Sequence, residues 1–77
     1  EYITFSLHNT SLKSIPLQIP GVMNPKVSPM SSSGVSLRKG QKIYYKKGVR
    51  KILILEVDAT IQDGDTIDVA RLIRAVQ

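Results

Sequence analysis

The stretch Gln41-Lys42-Ile43-Tyr44-Tyr45-Lys46-Lys47-Gly48-Val49-Arg50-Lys51-Ile52-Leu53-Ile54-Leu55-Glu56-Val57-Asp58 decides the fold. Gln41–Lys46 and Arg50–Asp58 read as two strands, rich in the β-branched and aromatic residues that suit a pleated surface. Lys47-Gly48-Val49 joins them as a hairpin, with glycine supplying the positive φ of a tight turn. Ile52-Leu53-Ile54-Leu55 is apolar on both faces, the pattern of a central strand covered on each side. The register is open by one residue, and a one-residue slip exchanges the faces of Tyr44 and Tyr45.

Upstream, Tyr2–His8 alternates, with Ile3, Phe5 and Leu7 on one face and Thr4, Ser6 and His8 on the other, which predicts a half-buried strand. Asn9-Thr10-Ser11 is a turn signal. Ile15-Pro16-Leu17-Gln18-Ile19 alternates again, and Pro16, which cannot donate a ladder hydrogen bond, points to an edge strand or an extended arm. Between residues 20 and 36 lie Pro20, Gly21, Asn24, Pro25, Pro29, Ser31-Ser32-Ser33 and Gly34, with no surviving period. That predicts a long ordered loop pinned by prolines. Downstream, Asp63-Gly64 marks a turn and Thr66-Ile67-Asp68 a short strand. Val69, Leu72, Ile73 and Val76 then fall at i, i+3, i+4 and i+7, one face of a helix with Asp68 as its N-cap. The fold class expected is mainly β: a small barrel or sandwich of about five short strands with one C-terminal helix. It forms a single domain over 1–77 with a Pro/Ser-rich loop at 20–36.

The 77 residues bound what such a domain can be. Area scaling gives roughly 4,700 Å² of folded surface against roughly 12,300 Å² unfolded, a core with a thin margin. Zero cysteine excludes a disulfide framework, a thiolate metal site and a cysteine nucleophile, and a single histidine, His8, excludes a multi-histidine metal cage. The longest strongly apolar run is Ile52–Leu55, far short of a membrane span. No basic region followed by an apolar run opens the chain, so no signal peptide is visible and the Asn9-Thr10-Ser11 glycosylation pattern reads as chance.

Charge is unevenly placed. The formal net charge is +5, and seven of the eleven basic residues (Arg38, Lys39, Lys42, Lys46, Lys47, Arg50 and Lys51) lie together without an intervening acid. Glu56, Asp58, Asp63, Asp65 and Asp68 follow. Such a basic zone fits phosphates or an acidic protein surface. The two unlike zones also suit docking between identical copies. The plainest reading is a solvated hairpin whose lysines discourage edge pairing.

Catalysis requires a nucleophile beside a base, or groups with split pKa values. His8 stands on a polar strand face and any partner is distant in sequence, which reads as a surface histidine. Ser31-Ser32-Ser33 lacks the elbow glycines of a nucleophilic serine and reads as a solvated or capping loop. Glu56 and Asp58, two apart, read as a solvated strand end. Asp63-Gly64-Asp65 with Asp68 has neither the glycine position nor the closing glutamate of a calcium loop. No enzyme, metal or cofactor is expected.

Ile15-Pro16-Leu17-Gln18-Ile19-Pro20-Gly21-Val22-Met23-Asn24-Pro25, with Ser28-Pro29 and Ser33-Gly34-Val35, resembles small uncharacterised proteins encoded in bacteriophages and bacterial genomes. The likeness runs on through Gly40-Gln41-Lys42-Ile43 to Leu72-Ile73. In that setting a small basic β-protein resembles a minor capsid or head-decoration protein, by analogy of class. The expected function is therefore a structural, assembly protein stabilising a larger shell or scaffold in many copies, in a virion or the cytoplasm and away from membranes. Pro16, Pro20, Val22, Met23, Pro25, Val27, Met30 and Val35 are the expected protein interface, and the seven basic residues its charged patch. The alternative is a nucleic-acid-binding barrel, with the lysines on phosphates and Tyr44 or Tyr45 stacking on bases.

Overall fold

A computed structural model describes residues 1–76. Seven strands and one helix follow in the order β1 (Ile3–His8), β2 (Ile15–Gln18), β3 (Lys26–Val27), β4 (Ser32–Leu37), β5 (Lys42–Lys47), β6 (Arg50–Glu56), β7 (Thr66–Asp68) and α1 (Val69–Val76). They form two sheets, β4-β1-β7 and β3-β2-β5-β6, rather than one closed barrel. The chain is mainly β with a C-terminal helix, as expected. Its accessible surface of 4899 Å² lies close to the roughly 4,700 Å² expected of a folded chain this size.

Alternation builds the core. Phe5 and Leu7 of β1 and Val35 and Leu37 of β4 face inward from one sheet. Ile15, Leu17, Val27, Ile43 and Ile54 face inward from the other. Val69, Ala70 and Ile73 of α1 join the same cluster. The buried stripe of the helix thus centres on Val69, Ala70 and Ile73, while Leu72 is half-buried and Val76 exposed. Asp68 caps α1 as expected: its Oδ1 accepts from the Arg71 amide at 3.1 Å and both carboxylate oxygens accept from the Thr10 hydroxyl.

The expected loop at 20–36 contains β3 and β4. Glycine and serine hide β4, because they carry little strand propensity. Its identity comes from pairing: Ser32–Leu37 lies antiparallel to the whole of β1, with Val35 opposite Phe5. Pro16 is likewise not on an edge, since β2 lies between β3 and β5. Leu17 and Ile19 donate to Pro25 and Met23 on the β3 side, so the position of the missing Pro16 amide faces β5. The β2–β5 ladder covers only Leu17 and Gln18, and no donor is required at Pro16. Pro20-Gly21 makes the turn between β2 and β3, with Gly21 at φ 76 and the Val22 amide closing on Ile19.

Ile52–Leu55 does not form a central strand. β6 pairs only with β5 and ends its sheet. The run is apolar on both faces partly because of a bulge. Ile43 pairs with Leu55 and Tyr44 with Leu53, so Ile54 is the extra residue and turns inward beside Leu55. The hairpin turn is Gly48-Val49, with Lys47 opposite Arg50. Gly48 has φ 62 and Val49 does not share that region, which matches the two-residue hairpin turn with glycine first.

Asn9 is the one fully buried polar residue among those described. Its Nδ2 donates to the carbonyls of Lys13 (2.7 Å), Val27 (3.0 Å) and Ser28 (3.2 Å), and its Oδ1 accepts from the Ser11 amide and hydroxyl. The side-chain nitrogen of the glycosylation pattern is thereby inside the protein. Asn9→Ala strips these groups of their partner, and each unsatisfied buried group costs about 1–3 kcal/mol. We expect a loss of about 2–3 kcal/mol, read as a lower urea midpoint at unchanged slope.

Candidate functional site

The β5–β6 ladder sorts the hairpin side chains. Leu17, Tyr45 and Ile52 share the core face, since Leu17 is opposite Tyr45 and Tyr45 opposite Ile52. Gln18, Tyr44 and Leu53 share the outer face by the same pairings. Lys42, opposite Glu56, and Lys46, opposite Lys51, stand two residues either side of Tyr44 and point outward with it. Pro16 and Lys26, paired between β2 and β3, extend that face. The result is a basic outer sheet face of Lys26, Lys42, Lys46 and Lys51, with Glu56 as its acid and Tyr44 and Leu53 at its middle. The Lys51 ammonium lies 5.5 Å from the centroid of the Tyr44 ring, within cation–π range. Leu53 is 44% exposed, uncommon company for four lysines.

The structure divides the residues expected to act together. Arg38 and Lys39 leave the patch: with Glu1 and Ile3 they line an open depression of ≈ 380 Å³, where the Arg38 guanidinium sits 4.9 Å from the Tyr2 ring centroid. Lys47 and Arg50 flank the hairpin turn on the opposite side of the ladder from Lys46 and Lys51. Tyr45 is half-buried and packs against the core, on the face away from Tyr44 and the outward lysines. Lys26, outside the expected patch, joins it only through the β2–β3 pairing, for which the local sequence holds no signal.

The expected apolar interface is divided too. Pro25, Val27 and Val35 are buried in the chain's own interior, because β3 and β4 belong to the sheets. Pro16 is half-buried. Pro20, Val22 and Met23 are exposed at the β2–β3 turn, and Met30 between β3 and β4 is 61% exposed. Met30 has φ 54, the left-handed region, in a turn closed by the Ser31 amide on Ser28. For a non-glycine residue this conformation costs about 1–3 kcal/mol.

The outer face of the other sheet is polar and small: Thr4 opposite Ser36, Ser6 opposite Gly34, His8 opposite Ser32. His8 Nδ1 and Ser32 Oγ are 2.6 Å apart, a base beside a hydroxyl that the pairing of β1 with β4 creates. Asp68 is next in the β1–β7 ladder, but its oxygens serve Thr10 and the helix cap. The depressions lie elsewhere, the second, of ≈ 390 Å³, being lined by residues that include Lys13, Tyr45, Ile73 and Arg74. Glu56 and Asp58 do not share a strand face, because β6 ends at Glu56 and Asp58 turns back to accept from the Thr60 amide and hydroxyl. The Asp63 carboxylate accepts from the Thr4 amide and that of Asp65 from the Gln62 amide. The acidic turn thus clips onto β1. Among the described residues no cluster of three metal-ligating side chains occurs, and no helix is long and apolar enough to cross a membrane.

Comparison with protein-family models, curated proteins and solved structures finds no match to this chain.

Burial alone pushes the Asp68 carboxyl up. The Arg71 amide, the Thr10 hydroxyl, the Arg74 charge and the Ala70 amide together outweigh it and hold the pKa below its ordinary 3.8. The Thr60 hydroxyl and amide lower Asp58 in the same sense. A carboxyl lowered by folding stabilises fully above its unfolded pKa, and that contribution fades as pH falls through the folded value. Asp68→Asn keeps a capping side chain without the titration, so urea midpoints between about pH 5 and pH 2 should fall less steeply than in the wild type. Met30→Gly should raise stability by about 0.5–1 kcal/mol, the relief of strain less the entropy glycine adds to the unfolded chain.

Proposed function

We propose that this chain is a non-enzymatic assembly protein that docks the outer face of β3-β2-β5-β6 on an acidic protein surface. The observation that carries this reading is the ladder that aims Lys26, Lys42, Lys46 and Lys51 the same way around exposed Leu53 and half-buried Tyr44. A basic rim around an apolar and aromatic centre is the composition of a protein-binding patch. Exposed Val22 and Met23, and Met30 held where glycine would be cheaper, add apolar contacts at the loops. The imidazole–hydroxyl pair, His8 with Ser32, lies on an open sheet face with its neighbouring carboxylate committed to the helix cap, an arrangement suited to pairing strands. A shell or scaffold protein present in many copies is the partner class that the bacteriophage resemblance implies. A small module of this kind, whose own core is thin, gains stability on such a surface.

A second reading has its own observation. Tyr44, facing outward among lysines, also has the makings of a stacking platform for a single strand of nucleic acid.

Titration with poly-glutamate and with a single-stranded oligonucleotide, each at about 50 and 200 mM salt, separates the two. Assembly through acidic surfaces predicts poly-glutamate binding that Lys42→Glu with Lys46→Glu reduces at least about tenfold and that Tyr44→Ala leaves largely intact. Tighter, Tyr44-dependent binding of the oligonucleotide transfers the function to nucleic acid. Binding of neither anion removes the basic face from the function.

A further inference from the structure

β6, at seven residues the longest strand, ends its sheet. Among the described residues, no hydrogen bond is made to Arg50–Glu56 from the side away from β5. Yet its sequence is that of an interior strand, with Ile52, Leu53, Ile54 and Leu55 in succession and only Ile54 among them buried. A long, free, apolar edge is a template for another strand, and proteins that keep such an edge free usually interrupt it with charge. Here charge sits at the ends and differs in sign: Arg50 and Lys51 at the start, Glu56 and Asp58 at and beyond the finish.

We propose that β6 pairs antiparallel with β6 of a second copy, joining two four-stranded sheets into one across a two-fold axis. The antiparallel arrangement brings the basic start of each strand beside the acidic finish of the other. One register also satisfies the faces. Lys51 points outward with Leu53, and Glu56 outward opposite Lys42, while Ile52 and Leu55 point inward with Tyr45 and Ile43. Lys51 opposite the second copy's Glu56 therefore puts outward beside outward. Ile52 opposite the second copy's Leu55 puts inward beside inward, with Leu53 and Ile54 about the axis. The bulge at Ile54 makes this register possible, since it returns Glu56 to the face of Lys51. The pairing is isologous, so it closes at two copies. It leaves Lys26, Lys42 and Lys46 of both copies on a shared outer face, while it takes Lys51 and Glu56 from that face into the strand pairing.

Sedimentation equilibrium of the full chain tests it. The wild type should sediment at twice its 8.5 kDa. Lys51→Glu and Glu56→Lys, each at an exposed position, should separately weaken dimerisation at least about tenfold, because two like-charge pairs replace two opposite ones. The two variants mixed should form a heterodimer at close to wild-type strength. In it one cross-strand pair carries both substitutions, the other carries neither, and both unite opposite charges. Circular dichroism shows that each variant is folded, and Lys42→Glu with Lys46→Glu, on β5 and outside the strand pairing, should lose poly-glutamate binding while still forming the dimer. A wild type that stays at monomer mass up to about 1 mM, where Kd-scale affinities are negligible, overturns the pairing. So do variants that dimerise undiminished, a mixture that does not recover, or assembly that continues past two copies.

Discussion

The two sheets are held to one another at Asn9. It follows the last residue of β1 in one sheet, and its side-chain amide reaches Val27 at the end of β3 in the other. Its backbone amide binds Ser31, just before β4, and its Oδ1 folds the chain back through Ser11 toward β2. A fully buried amide is tolerable only when all of its groups are paired, so this one side chain imposes a single path on three segments at once. The buried Pro25 and Val27, and the turn that carries Met30, occupy their places because Asn9 gathers Val27 and Ser28.

Around that junction the charges do structural work on one side and remain available on the other. Asp63, Asp65 and Asp68 hold backbone amides of β1, of the acidic turn itself and of α1. Of the acidic zone, Glu56 is the member left on an outer sheet face, and it stands opposite Lys42. The lysines have no comparable internal role. Spread over the outer face of β3-β2-β5-β6, they leave the molecule with a clear polarity, which is the basis for reading it as a protein that works by contact.

Several elements were legible from residue order. The alternation of Ile3, Phe5 and Leu7, the β5–β6 hairpin around Gly48, and the helix capped by Asp68 all stand where the spacing predicts them, because each depends on neighbours within a few residues. β4 was not legible. Ser32-Ser33-Gly34 has no strand propensity of its own and becomes a strand by pairing with β1, more than twenty residues earlier in the chain. The faces of Tyr44 and Tyr45 were open for the same reason: the bulge at Ile54 and the contact of Tyr45 with Leu17 choose between them.

For the surface proposed to dock a partner, composition and order alone determined that it is basic, free of thiol chemistry and centred on one hairpin. Only tertiary structure decided its membership. It drew in Lys26 from a distant strand, sent Arg38 and Lys39 to another corner, turned Tyr45 to the core face, and set an interior-type strand at the rim of its sheet. Period-two alternation records which residues share a face but not which strands lie side by side. That is settled by where β2 and β3 pack once the core closes, through contacts between residues far apart along the chain.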